Sequence, residues 1–153
     1  MFISPYRAVD LPEVLAVFDS NVPRYFDTAE RAEFAEFLDG FAEHYLVGRE
    51  NGQVIACGGH APHRSRPDTW TLCWGMVHSE HHRRGLGARL LTARLDDIAS
   101  HGPATVVLAT SQHSAGFFER HGFITEKITP DGFAEGIDQY DMRLRIDPDR
   151  VVD

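Results

Sequence analysis

The sequence predicts a single α/β domain over residues 1–153, with a mixed, mostly antiparallel sheet and flanking helices. Three observations carry that prediction. Two apolar runs, Tyr45 to Arg49 and Val54 to His60, are joined by Glu50-Asn51-Gly52-Gln53. Asn-Gly between such runs signals a tight hairpin, because both central residues tolerate positive φ. Downstream, a strand-like run at Trp70 to Val77, a helix-like run at Gly85 to Ser100 and a short apolar run at Thr105 to Thr110 make one βαβ crossover. The whole order, β-α-α-β-β-β-α-β-α-β-β, mixes hairpins with that crossover. The length suits one compact domain, and 42% hydrophobic with 25% charged residues suits a globular one.

The elements follow from local patterns. Phe2 to Arg7 reads as a first strand. Asp10-Leu11-Pro12-Glu13 reads as a helix start with Asp10 as N-cap, and Leu11, Val14, Leu15 and Phe18 recur at helical spacing. Asn21-Val22-Pro23 ends that helix. A second begins near Thr28 as cap, with Phe34, Phe37, Leu38 and Phe41 on one stripe and Gly40 near its end. His60 to Asp68 is polar and reads as a loop. In the strand that follows, Trp70, Leu72, Trp74 and Met76 alternate with Thr71, Cys73, Gly75 and Val77. Leu90, Leu91, Leu95 and Ile98 share one face of the next helix. Ser114 to His121 is a short helix closed by Gly122, Phe123 to Thr129 a strand, and Pro130-Asp131-Gly132 the start of a loop. The last strand puts Tyr140, Met142, Leu144 and Ile146 on one face.

Composition excludes several functions. A net charge of −8 argues against nucleic acid, which needs a concentrated basic face, and mildly favours a cationic ligand. No apolar run approaches a membrane span, and Met1-Phe2-Ile3-Ser4-Pro5 lacks the basic and apolar regions of a signal peptide, so a cytoplasmic protein is expected. Cys57 and Cys73 lie in strand-like runs and read as buried thiols, not a disulfide. His78, His81 and His82 crowd the approach to a helix and read as a solvated loop; no metal site is expected.

The segment that carries chemistry is Val77-His78-Ser79-Glu80-His81-His82-Arg83-Arg84-Gly85-Leu86-Gly87-Ala88-Arg89-Leu90-Leu91. A strand runs into a turn with two glycines two apart and then into an apolar-faced helix. The first amides of that helix lack intrahelical partners and carry the positive end of the dipole, which makes an anion site. Glycine removes the Cβ atoms that hold a phosphate away from the backbone, and Arg83 and Arg84 add charge. Gly-Lys-Ser/Thr is absent, which excludes a Walker loop. The third glycine and first-βα location of a dinucleotide fingerprint are absent too.

This segment resembles motif A of the GNAT superfamily of N-acetyltransferases, Gln/Arg-x-x-Gly-x-Gly/Ala, with Gly85 and Gly87 in the glycine positions and His82 where Gln or Arg is usual. Ser114-Ala115-Gly116-Phe117-Phe118-Glu119-Arg120-His121-Gly122-Phe123 is similar to the family's second signature, Ala-x-x-Leu-Tyr-Glu-Lys-x-Gly-Phe. The element order also matches over most of the chain. The resemblance implies a GNAT-like fold whose strands four and five splay apart, with the pantetheine arm of acetyl-coenzyme A between them. It implies that the pyrophosphate sits on the amides from His82 through Arg83, Arg84, Gly85, Leu86 and Gly87 to Ala88. It also implies a bulge near Met76-Val77, where the Val77 N–H meets the thioester carbonyl, with Phe118 beside the coenzyme.

Departures from the family pattern bear on mechanism. Positions that hold a Glu or His base in relatives are Thr71 and Cys73, and the tyrosine that protonates the leaving thiolate is Phe118. Ser114, one helical turn earlier, is a weaker candidate acid whose expected role is helix cap. The base is open between the substrate's own ionisation and a water held by His60, His78 or a carboxylate of the first two helices; each of these histidines is expected at the surface. The expected reaction is direct attack of an amine on acetyl-coenzyme A in a ternary complex. The alternative is an acyl-coenzyme A-binding regulatory module without turnover. Asn21 to Phe41 and a loop at Pro130 to Asp138 are expected to wall the acceptor, which is a small amine, an antibiotic, an amino acid or a protein terminus. Any homodimer is expected to pair through the C-terminal strands.

Overall fold

The structure, a computed structural model, describes residues 1–147. Its strands are β1 (Phe2–Pro5), β2 (Tyr45–Glu50), β3 (Gln53–Pro62), β4 (Thr69–Val77), β5 (Ala104–Thr110), β6 (Ile124–Ala134) and β7 (Ile137–Ile146). The helices are α1 (Leu11–Ser20), α2 (Glu30–Gly40), α3 (Leu86–Ala99) and α4 (Ala115–Arg120). The strands form one sheet in the order β1-β2-β3-β4-β5-β7-β6, in which β4-β5 is parallel and β1-β2, β2-β3, β5-β7 and β6-β7 are antiparallel. The β4-β5 register covers Thr69↔Thr105 to Thr71↔Val107, although β4 continues to Val77.

The chain divides into two compact units: Met1–Ala61 with Cys73–Asp97, and Pro62–Leu72 with the chain from Ile98 onward. In the first, Val14, Val17 and Phe18 of α1 and Phe34 and Leu38 of α2 pack on Tyr45, Val47, Val54, Cys57 and Met76 of the sheet. The helical spacing of these residues is what delivers one apolar face of each helix to the strands. Asn51 and Gly52 turn the β2-β3 hairpin with φ of 54° and 79°. Both cysteines are free thiols, and burial pushes Cys57 up to about 12.

In the second unit, β7 lies between β5 and β6, with Leu108↔Met142 in register and Met142 and Ile137 buried. The expected loop at Pro130 to Asp138 is instead mostly strand. β6 continues through Pro130 to Ala134, and Glu135-Gly136 alone separates it from β7. Edge position lets a strand accept proline. The interruption survives as a register shift between Thr129 and Ala134.

Two expected helix caps are replaced by other contacts. Thr28 does not cap α2; Asp27 Oδ1 accepts the Ala29 N–H at 2.8 Å, and Glu30 Oε2 accepts the Asp27 N–H at 3.0 Å. Asp10 makes no cap bond to α1. Its buried carboxylate accepts the Arg7 N–H at 2.9 Å and pairs with the Arg49 guanidinium. Burial alone would raise this carboxyl, but the Arg7 N–H and Arg49 together hold it below its ordinary value. The stabilisation is therefore present above the unfolded carboxyl value, about pH 4, and is lost as pH falls through the depressed folded value. Asp10→Ala leaves Arg49 half-buried without its anion. It is expected to cost about 3 kcal/mol in urea unfolding at pH 7, and much less at pH 2.

Candidate active site

The site begins with a fault in β4. Trp74 has φ 46°, a left-handed conformation that is uncommon for a bulky residue in a strand. The irregularity expected near Met76-Val77 thus falls two residues before Met76. Aromatic neighbours and two side-chain donors hold it there. The Trp74 ring lies 4.9 Å from that of Phe34 and 6.1 Å from that of Phe26, and the Tyr45 hydroxyl donates to the Trp74 carbonyl at 2.7 Å. From α3, Arg94 reaches into the same place. Its Nη2 donates to Gly59 O at 2.7 Å and to Cys73 O at 3.1 Å, and its Nε to Gly59 O at 3.2 Å. Arg94 is 4% exposed and, among the described residues, has no carboxylate at ion-pair distance. Gly58 and Gly75 make room for it: a Cβ on Gly58 would lie 3.2 Å from the guanidinium, and one on Gly75 would collide with Nη1.

Beyond the fault, β4 resumes and ends at Val77. The His78 N–H donates to Ile55 O of β3 at 2.8 Å. Consecutive strand residues turn their N–H groups to opposite edges, so Val77 points its own N–H away from β3. The Val77 carbonyl accepts from Asn21 Nδ2 at 3.0 Å and from His82 Nε2 at 2.8 Å, which fixes His82 with its proton on Nε2. Asn21 is 4% exposed and also donates to Val17 O, tying the end of α1 to the end of β4. The loop is pinned again where Ser79 N–H meets Ser20 Oγ at 3.0 Å and Glu80 N–H meets His78 Nδ1 at 3.2 Å. His82 stands edge-on to Tyr25 at 5.4 Å.

Arg83 and Gly85 both take positive φ, 64° and 75°, so the backbone turns sharply into α3. Gly85 is exposed, and nothing lies within 4 Å of a Cβ built on it. Its glycine is needed for conformation, and the space beside it is open. Leu86, Gly87 and Ala88 form the first turn of α3, whose amides precede the first intrahelical bonds. Arg84 is already engaged: it pairs with Glu50 at 2.8 Å and contacts His81 Nδ1 at 2.7 Å. The three loop histidines expected to be solvated are thus local hydrogen-bonding parts of this turn.

Val77 and His82 through Ala88 lie together in the first unit with the Met76 side chain in its core, and Phe118 on α4 and Ser114 just before it lie in the second. Ser114 occupies the N-cap position of α4 but makes no side-chain cap bond; only its carbonyl accepts, from the Phe117 and Phe118 amides. The Phe118 ring packs edge-on against Phe123 at 5.5 Å. Burial raises the Cys73 thiol, so it stays protonated at neutral pH. His60, expected at the surface, is 2% exposed and sits 2.6 Å from Asp97 of α3; burial lowers it against the opposing pull of that carboxylate. Arg94, Asn21 and Tyr45 were not singled out by the sequence. Two signals pointed to Arg94: it falls among the apolar positions of α3, and glycines stand at 58, 59 and 75.

A model of the acetyltransferase (GNAT) family matches residues 14–123. The chain belongs to that family. It is an acetyl-coenzyme A-dependent N-acetyltransferase, and the seven-stranded sheet with parallel β4-β5 is the family's fold. Solved structures agree on the fold. Ribosomal-protein-S18-alanine N-acetyltransferase from Escherichia coli is 22% identical with a TM-score of 0.78, covering 99% of each chain. Aminoglycoside 6'-N-acetyltransferase from Enterococcus faecium is 17% identical with a TM-score of 0.76, covering 99% of this chain and 100% of that one. An aminoglycoside 6'-N-acetyltransferase complexed with coenzyme A is 17% identical with a TM-score of 0.77 and the same coverage. No curated protein matches the chain in sequence.

The Arg94 clamp gives a stability test. In this acetyltransferase Gly75→Ala displaces the guanidinium yet leaves it buried and charged, with fewer acceptors. Loss of at least about 3 kcal/mol is expected in urea unfolding. Adding Arg94→Met to Gly75→Ala should recover part of that loss, a coupling that a double-mutant cycle reads directly.

Proposed function

We propose that this acetyltransferase moves an acetyl group from acetyl-coenzyme A to a primary amine by direct attack in a ternary complex. The observation that carries the proposal is the pinned turn from Val77 to Ala88: an outward Val77 N–H at one end and open helix-start amides at the other. The residues present fit the coenzyme, because an anionic pyrophosphate needs unpartnered amides and no Cβ in its way, and Gly85 leaves that space clear. The amides of His82 to Ala88 hold the pyrophosphate, Arg83 adds charge, and the Val77 backbone faces the acyl end, backed by the buried Met76 side chain. Acetyl-coenzyme A, when bound, supplies an already activated thioester.

The neutral amine attacks the carbonyl carbon, a C–N bond forms and the C–S bond breaks. The Val77 N–H meets negative charge on the carbonyl oxygen as that charge develops. Orientation of the two reactants supplies most of the remainder. Neither Thr71 nor the protonated Cys73 thiol takes a proton from the amine, so the acceptor loses one to water before attack and a second once the C–N bond has formed, and the leaving thiolate gains one from solvent. The named neighbours act on an aminoglycoside and on the alanine of a ribosomal protein, both amine acceptors. With a net charge of −8, a cationic acceptor is favoured here. The lack of a residue that gives or takes a proton at Thr71, Cys73 and Phe118 also suits the second reading, a coenzyme-binding module without turnover.

Release of free thiol from acetyl-coenzyme A across a panel of amines separates the two readings. Turnover with at least one amine is expected, rising tenfold per pH unit up to that amine's own pKa. A rate that levels near pH 6 to 7 whatever the amine would instead reveal a histidine base. Coenzyme A should raise Tm far more than NAD, and an equal shift would overturn the assigned cradle. Gly87→Val should weaken coenzyme A binding by at least tenfold, while helix propensity shifts stability by no more than about 0.5 kcal/mol, in favour of valine.

A further inference from the structure

We propose that His44, His60 and Asp97 form a binding site for a divalent transition-metal ion of the zinc type, separate from the coenzyme turn. The three residues come from different elements of the first unit: the turn before β2, the end of β3 and the last turns of α3. Asp97 Oδ2 lies 2.6 Å from His60 Nε2 and 3.7 Å from His44 Nδ1, and the three donor atoms all fall within 4.8 Å of one another. The two imidazoles lie nearly parallel, their centroids 5.4 Å apart and their planes at 24°.

Two imidazole nitrogens and one carboxylate oxygen are a borderline-soft donor set, which suits zinc, cobalt or nickel and not calcium or magnesium. A tetrahedral ion with bonds of about 2.0–2.1 Å holds its donors roughly 3.3 Å apart. The closest pair must therefore open and the wider ones close, by at most roughly 1.5 Å. Side-chain rotation of Asp97 and His44 supplies that adjustment, because these two are 45% and 24% exposed, whereas the His60 side chain is fully enclosed. The enclosed histidine fixes the site and the open side admits the ion with its remaining water ligand. The buried cation Arg94, three residues before Asp97 and on the same side of α3, opposes the ion's charge and weakens the site.

Along α3, Asp97 lies 11 residues from Leu86, about 16 Å at 1.5 Å per residue, so an ion here does not touch the coenzyme turn. It joins three elements distant in sequence and stabilises the folded chain by binding it alone.

The test uses the full chain with any purification tag removed, stripped with a chelator and titrated with zinc chloride by calorimetry. Binding of one ion with Kd near the micromolar level is expected. Tm should rise by roughly 5–10 °C at a hundredfold excess over Kd. Cobalt(II) chloride should give the intense visible bands of a four-coordinate ion. His44→Gln and Asp97→Asn, both at partly exposed side chains, should each weaken binding at least tenfold, and His81→Gln should not. The three groups are only a hydrogen-bonded cluster if zinc fails to bind. Binding that survives in the His44→Gln/Asp97→Asn double variant also overturns the proposal, because the ion then sits elsewhere.

Discussion

A buried guanidinium with no carboxylate partner among the described residues organises the first unit of this acetyltransferase. Moving Arg94 out of water costs several kcal/mol, and the offset comes from backbone carbonyls. Gly59 and Cys73, in neighbouring strands, supply the acceptors, and the glycines at 58 and 75 supply the room. The acceptor on β4 stands next to Trp74, the residue with left-handed φ. The carbonyls beside the left-handed residue receive side-chain donors, and the cation receives dipoles. Tyr45 closes the arrangement from the opposite face of the sheet through the Trp74 carbonyl.

β4 ends three residues past Trp74, at Val77. Past Trp74, Met76 returns to the core, His78 pairs with β3, and Val77 turns its N–H outward. Asn21 and His82 then fill the Val77 carbonyl, so the strand end, the end of α1 and the turn into α3 share one hydrogen-bonded atom. On the proposed reading, these hydrogen bonds fix the strand end and the helix start that receive the two ends of the coenzyme. Preorganisation of this kind matters most for a reaction in which neither Thr71, Cys73 nor Phe118 moves a proton.

The fold was legible where local chemistry decides it. Asn51-Gly52 set a hairpin, and the apolar stripes of α1 and α3 set their buried faces. The motif around Gly85 and Gly87 identified the family before any coordinate. What escaped notice depended on partners distant in sequence. Arg94 looked like one more charge on a helix, because its acceptors lie 35 and 21 residues away. His60 looked like a loop histidine, because Asp97 lies 37 residues away. Asn21 read as a helix breaker, whereas its amide reaches Val77 across 56 residues. Local rules misled at Thr28 and Ser114, which have cap residue types but no cap bond, and at Pro130, which an edge strand tolerates.

The central claim is that the backbone from Val77 through the start of α3 receives the coenzyme. Titration of the ¹⁵N-labelled protein with coenzyme A, followed amide by amide, tests it most directly. The account predicts that the largest shifts fall on Val77 and on His82 to Ala88, with Gly85 and Gly87 foremost, while His44, His60 and Asp97 stay near their free positions. Saturable binding that leaves the Gly85 and Gly87 amides unmoved and shifts other backbone groups instead would contradict it.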